Sequence, residues 1–269
     1  IIIGAGFAGL SAAYYLHKKK IDFVLLESRN RIGGRVFSYT MDEKEKLVIE
    51  LGAEWVGNSH ERLQNLCNEL ELELLNNQFD SHLIYKGEYF KAGQWDYSEG
   101  WKKKFQALLD HYPKLTQAEK LKLDKMDWWR YLVNNGCEGR DLDIRELLDS
   151  TDFGETIRSV SAFAALAEYA ESSEKNEMDL KIKGGNSQFA HRIADKLGAD
   201  KIKLQHTVQR VVQNPKGGVI VYCDNGQQFS GDKIICTAPT FAEKKIKWEP
   251  GLPPAYVNAM NELQYARIN

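Results

Sequence analysis

At 269 residues, 43% of them hydrophobic and 28% charged, the chain is long enough for one large or two ordinary domains with real cores. Its 36 basic and 38 acidic residues are interspersed and leave a formal charge of −2. No basic stripe therefore offers itself to nucleic acid, no basic amphipathic helix to a membrane surface, and the apolar runs are too short to span a bilayer.

Ile1-Ile2-Ile3 reads as the end of a buried strand that runs into Gly4-Ala5-Gly6-Phe7-Ala8-Gly9. Leu10, Ala13, Tyr14 and His17 then fall at helical spacing over about Phe7 to Lys20. Phe23 to Leu26 forms a second buried strand closing on Glu27, which completes a parallel strand–helix–strand unit. Leu47 to Ile49 is a further strand, ending at Glu50-Leu51-Gly52. From His60 to about Leu72 a helix places Leu63, Leu66, Cys67 and Leu70 on one face, with Asn58 and Glu61 spaced as an N-terminal cap. His82 to Tyr85 and Tyr89-Phe90 flank a Lys-Gly-Glu turn and predict a hairpin.

Ser98 to Tyr169 is mostly helical and rich in Trp, Lys and Leu, with breaks near Pro113 and at Gly136 to Gly139. The character changes at Lys183-Gly184-Gly185-Asn186, after which a helix to about Leu197 keeps Phe189, Ile193 and Leu197 in register. Short strands follow at Ile202–Leu204, Thr207–Val212, Val219–Cys223 and Gln228–Phe229, with turns at Asn214 to Gly218 and Asp224 to Gly226. A last apolar strand, Lys233 to Cys236, opens onto Thr237-Ala238-Pro239. The pattern is an α/β, Rossmann-like domain interrupted by a mostly helical α+β insertion and then resumed. The expected division is 1–78 and 184–243 for the nucleotide-binding domain, with 79–183 and 244–269 for the second. Both ends read as cut: Ile1 already lies inside an apolar run, and Leu263 to Ile268 alternates without a terminating signal.

Cys67, Cys137, Cys223 and Cys236 are widely spaced, with no C-x-x-C pair and no nearby histidines. Buried free thiols fit that spacing better than a metal site or a disulfide framework, and they lean towards a reducing, cytoplasmic location. Capping or solvated roles suffice for His60, His191 and His206, and no Ser–His–Asp or metal-spaced cluster is visible.

Gly4-x-Gly6-x-x-Gly9 sits between a strand and a helix, where each glycine has a physical task. Gly4 permits the tight turn, Gly6 lets the backbone approach a pyrophosphate, and Gly9 lets helix and strand pack closely. The helix N-terminus supplies free N–H groups and partial positive charge for the phosphates. Glu27, closing the second strand, is placed to accept from ribose hydroxyls and would repel a 2′-phosphate, which disfavours NADP. Ser28-Arg29-Asn30-Arg31-Ile32-Gly33-Gly34-Arg35 follows, a segment that a unit binding NAD does not need. It suits a longer cofactor: Gly33-Gly34 allows close backbone approach, and Arg35 offers a bidentate fork to phosphate oxygens. A solvated basic turn is the alternative at this point.

Gly4 to Ala13, Leu26 to Arg29 with Gly33-Gly34-Arg35, and Glu50 to Gly57 closely resemble the flavin amine oxidase family, which includes monoamine, putrescine and polyamine oxidases and the L-amino acid oxidases. The likeness continues at Lys181 to Asn186, His206 to Val208 and Cys236 to Pro239, and is weakest from about 95 to 180. The resemblance implies FAD as cofactor, in a domain of the two-dinucleotide-binding type. It implies that Gly4, Gly6, Phe7, Ala8 and Gly9 carry the pyrophosphate turn, and that Glu27 holds the adenosine ribose beside Ser28. Arg29 and Arg35, with Gly33 and Gly34, would line the phosphates. Gly52, Ala53, Glu54 and Trp55 would pass the isoalloxazine ring, Val208 would meet the adenine through its backbone, and Ala238 would lie near the cofactor.

The implied reaction oxidises a primary or secondary amine to an imine, which water hydrolyses to an aldehyde or keto acid plus ammonia or an amine, while O2 becomes H2O2. Glu54 and Trp55 are the substrate-facing candidates, although a surface carboxylate and a core aromatic would explain them as well. Residues 53–57 contain no arginine to clamp a carboxylate, which favours amines over amino acids. Trp128-Trp129 fits either a substrate funnel or helix packing. The lysine that many family members carry near the flavin is expected beyond Asn269, so these residues alone are not expected to make a working enzyme. No metal is expected, and a homodimer stays open. Other flavoproteins of this architecture, of the carotenoid desaturase or protoporphyrinogen oxidase type, fit the Gly-Ala-Glu-Trp segment less well. A non-catalytic protein on the fold would have no use for the glycines, Glu27 and Arg35.

Overall fold

A computed structural model of the chain describes residues 1–171, 179–263 and 265. Contacts divide it into two units, Ile1–Gln78 with Glu177–Leu263, and Phe79–Asn176 with Gln264–Asn269. The first unit begins with β1 (Ile2–Ile3), α1 (Phe7–Lys18), β2 (Leu25–Leu26), β3 (Ser38–Asp42), β4 (Leu47–Glu50), α2 (Glu61–Glu69) and β5 (Leu74–Asn76). The second unit comprises the β6–β7 hairpin (Leu83–Tyr85, Glu88–Phe90) and the helices α3 (Glu99–His111), α4 (Gln117–Asp124), α5 (Trp128–Asn134), α6 (Gly139–Phe153) and α7 (Ala162–Glu171). The chain returns to the first unit with β8 (Leu180–Ile182), α8 (Ser187–Leu197), β9 (Ile202–Lys203), β10 (Val208–Gln213), β11 (Val219–Cys223), β12 (Gln228–Gly231), β13 (Ile235–Cys236), α9 (Thr240–Glu243), β14 (Lys247–Glu249) and α10 (Pro254–Glu262).

Among the described residues, β13-β1-β2-β9 is a parallel sheet in that order, with Ile2 opposite Leu25 and Ile235, and Leu26 opposite Lys203. Its two central strands are buried on both faces, as an apolar parallel sheet requires. On one side α1 presents Leu10, Ala13 and Tyr14 to Phe189, Ala190 and Ile193 of α8. On the other, Ile3 and Leu26 pack with Val208, Val211 and Val221 of a second sheet, ordered β12-β11-β10-β14.

Several expectations needed correction. The segments 179–183 and 244–263, expected with the second domain, belong to the first unit, because β8 pairs with β5 and β14 with β10. The helix expected to reach Leu72 stops at Glu69. Glu71 adopts φ +57, and the Leu72 N–H closes on the Cys67 carbonyl at 2.8 Å, turning Leu70 and Leu72 into the core. Asn58 does not cap α2 with its side chain. Instead the Gly57 N–H donates to His60 Nδ1, and Gln64 Nε2 donates to the Gly57 and Asn58 carbonyls, each at 2.9 Å. Strand β3 is not among the expected strands: Tyr39 and Met41 alternate with polar residues, but both are exposed and neither contributes to a core. Most of the alternating stretch 263–268 lies outside the described residues.

The second unit has its own core of Trp101, Trp128, Leu132, Ile157, Ala162 and Leu166. Trp128 is fully buried, and its indole N–H donates to the Asp149 carboxylate at 2.6 Å; helix packing, not a funnel, explains it. Arg145 faces the same carboxylate at 3.3 Å and lies over the Phe105 ring at 3.7 Å, so the buried charges are paired. Lys86 and Gly87, at φ +50 and +84, make the two-residue turn that a twisted hairpin favours.

All four cysteines are free; Cys236 is only half-buried. Burial pushes the Cys67 thiol up to about 11 and the Cys137 thiol up to about 12, so neither supplies thiolate near neutral pH. Thiol titration of the folded protein with a disulfide reagent is expected to leave Cys67 and Cys137 unmodified, and denaturant should release all four. Rapid native labelling of either residue would contradict the packing described.

Candidate dinucleotide-binding site

The first glycine segment emerges between β1 and α1, directly opposite the end of β2. There the Glu27 carboxylate, on a residue only 8% exposed, turns onto the turn itself. Its Oε2 accepts from the Ala5 N–H at 2.8 Å, and its Oε1 accepts from the Arg29 N–H at 2.9 Å and the Ser28 hydroxyl at 3.3 Å. A carboxylate has about four lone-pair sites, so capacity remains for a hydroxyl. Gly4 takes φ +99, and a Cβ there would stand 2.8 Å from Thr237 Oγ1. A Cβ at Gly9 would overlap the Gly4 carbonyl oxygen, so here the helix touches the turn backbone to backbone. At Gly6 a Cβ would meet only the Gly34 Cα at 3.8 Å. Space is therefore left open over Gly6, at the N-terminus of α1. That terminus has no side-chain cap and no acidic residue in its first turn, leaving its positive end for an anion.

Three glycine-bearing segments are joined in series. The Gly33 N–H donates to the Ala5 carbonyl at 2.8 Å, and the Ala53 N–H donates to the Arg35 carbonyl at 3.1 Å. Arg31 braces the middle segment, donating to the Ile32 and Gly34 carbonyls at 3.2 and 3.0 Å, with its guanidinium over the Phe37 ring. The third segment is held by Asn186, whose Nδ2 donates to the Ala53 and Glu54 carbonyls. The Val56 N–H also donates to the Leu180 carbonyl at 2.8 Å.

Arg29 and Arg35 are exposed, and Glu54 and Trp55 are half-buried. Val208 opens β10 with its side chain in the core against Ile3 and Leu26, leaving its backbone as the group that a ligand could meet. Ala238 follows β13, half-buried, beside Thr237, whose hydroxyl donates to the Ile3 carbonyl at 2.8 Å. His206 is engaged with the Leu204 carbonyl and Gln227. The roles of Thr237, Arg31 and Asn186 were not read from the sequence. Thr237 sits in a recognisable strand-exit segment, but nothing there tells that its hydroxyl braces Gly4. Arg31 resembles its solvated neighbours until the turn folds around it. Asn186 stands at the N-cap position of α8, but its side chain makes no capping bond, and nothing in the sequence tells that it turns to residues 53 and 54 instead.

The parallel strand–helix–strand unit, the open glycine turn and the carboxylate facing it define a dinucleotide-binding fold. The model of the flavin containing amine oxidoreductase family matches residues 7–269, and the chain belongs to that family, whose cofactor is FAD. It is 24% identical to flavin-containing amine oxidase B of Homo sapiens, over 94% of this chain and 52% of the human protein. To the corresponding Mus musculus enzyme it is 26% identical, with the same coverage. In fold it matches putrescine oxidase bound to putrescine at a TM-score of 0.83 and 24% identity, covering 98% of this chain and 63% of that one. Cyclohexylamine oxidase from Brevibacterium oxydans matches at 0.82 and 22% identity, covering 97% and 62%. The chain thus spans about half the length of the curated relatives it matches. Among the described residues no helix is long and apolar enough to cross a membrane.

Proposed function

We propose that this chain serves in the FAD-dependent oxidation of a primary or secondary amine to an imine. Water then hydrolyses the imine to an aldehyde and ammonia or a smaller amine, and O2 is reduced to H2O2. One observation carries the reading: the Glu27 carboxylate faces the open glycine turn from which two further glycine segments are hydrogen-bonded in series.

On this reading the N-terminus of α1 and Gly6 hold the pyrophosphate, and Glu27 holds the adenosine ribose. Arg29 and Arg35 supply positive charge from the rim, and the backbone of Val208 meets the adenine. FAD, when bound, accepts the hydride from the carbon next to the amine nitrogen. The 52–55 segment forms part of the wall past which the substrate enters, and the half-buried Trp55 excludes water and favours the uncharged amine by desolvation. Residues 53–57 offer no guanidinium to a carboxylate, which supports amines over amino acids as substrates. The free thiols suit a reducing compartment.

The test is the visible spectrum of the natural-length protein. Flavin bands that bleach anaerobically on adding an amine, and recover with peroxide when air is admitted, are the expected result. A colourless protein, or a flavin that no amine reduces, would overturn the proposal.

A further inference from the structure

Asn186 stands at the start of α8 and is 4% exposed, yet its side chain does not cap that helix. The β3–β4 hairpin does this work instead. Glu50 Oε1 accepts from the Asn186 N–H at 2.8 Å, and Ser38 Oγ accepts from the Ser187 N–H at 2.8 Å. The Ser38 hydroxyl in turn donates to Glu50, at 2.8 Å to Oε2. A carboxylate is well placed at a helix N-terminus. The amide of Asn186 is thereby released for another task. Its Nδ2 donates to the Ala53 carbonyl at 3.0 Å and the Glu54 carbonyl at 2.6 Å, while its Oδ1 accepts from the Ile182 N–H at 2.9 Å. One buried side chain thus ties the end of β8 to two consecutive carbonyls of the third glycine segment.

We infer that Asn186 is a positioning residue for amine oxidation, setting the path of the Ala53–Glu54 backbone where it passes the reacting ring; this rests on the function proposed above. Only an amide meets the requirement, because the site needs donors towards two carbonyls and an acceptor towards one N–H. Leucine matches its size and leaves all three groups unpaired. Aspartate places a carboxylate oxygen against two carbonyl oxygens, and regains one donor only when protonated.

The experiment uses the flavin-loaded, natural-length protein with Asn186→Leu, Asn186→Asp and Asn186→Ser, read by anaerobic stopped-flow. Flavin content should stay within about twofold of the parent, since the grip at Gly6 and Glu27 lies elsewhere. The bleaching rate at saturating amine should fall roughly 10- to 100-fold, the loss expected when a reacting wall shifts by about an ångström. Measured against the parent at each pH, Asn186→Asp should recover part of its rate as pH falls. Should Asn186→Leu not fold, the Asp and Ser variants carry the same reading. Unchanged bleaching per bound flavin in every folded variant, with only the melting temperature lowered, would overturn the inference. If no amine bleaches the parent, the proposed function has failed independently. The positioning role is then judged on the flavin band and midpoint potential: displacement in the variants upholds it, and identity with the parent overturns it.

Discussion

Glu27→Ala is expected to give a protein that purifies without FAD and melts well below the parent. Ala5 is completely buried, and its N–H donates to the Glu27 carboxylate, so the substitution strands a buried donor at about 1–3 kcal/mol. The Arg29 N–H loses its acceptor as well, although solvent can replace it at that exposed position. A hydroxyl of bound FAD would lose a charge-assisted partner worth about 1.5–3 kcal/mol, which corresponds to roughly 10- to 100-fold in affinity. The two losses compound, because the turn that Ala5 belongs to is the one the pyrophosphate must meet. Glu27→Gln should be milder: its carbonyl oxygen satisfies one of the two N–H groups, and its NH2 confronts the other. Equilibrium FAD binding alongside thermal melting checks the order Glu27, Gln, Ala. Undiminished FAD affinity in the alanine variant would remove the ribose role.

Much of this arrangement was readable beforehand, and the reason is local. The turn at Gly4 to Gly9 and the acid at Glu27 belong to one strand–helix–strand unit, in which short-range sterics and a single parallel pairing dictate the geometry. The hairpin at Lys86-Gly87 and the α8 face of Phe189, Ile193 and Leu197 were legible for the same reason. The bonds that join the third glycine segment and β3 to the start of α8 escaped because they are non-local. Asn186 reaches Ala53 across 133 positions, and Ser38 reaches Ser187 across 149. Neither pairing leaves a periodic mark. The end of α2 was misread because Glu71 adopts the left-handed conformation that glycine or asparagine usually supplies. The domain boundary was misplaced at 184 because β8 is too short to stand out until its partner β5 is known.

Gly6→Ala and Gly9→Ala, two residues of one motif, are expected to fail in opposite ways. Gly6 has φ −75 and ψ 179, a conformation open to any residue, and its added methyl would make only an ordinary contact with the Gly34 Cα at 3.8 Å. The flavin-free protein should therefore keep its stability to within about 1 kcal/mol. The methyl nevertheless stands where the backbone must admit a pyrophosphate, so FAD binding should be lost. At Gly9 the methyl would be driven into the Gly4 carbonyl oxygen and to 2.9 Å from Thr237 Oγ1. Neither can yield cheaply: the first is backbone, and the second is fixed by its bond to the Ile3 carbonyl at 2.8 Å. Gly9→Ala should cost about 3 kcal/mol or more before any cofactor is added, through displacement of α1 from the sheet. Thermal melting of the flavin-free proteins, followed by FAD titration, separates the two effects. A Gly6→Ala protein that binds FAD like the parent would mean that the open space over Gly6 is not where the phosphates lie. Equal loss of stability in both variants would show that the motif's glycines serve packing alone.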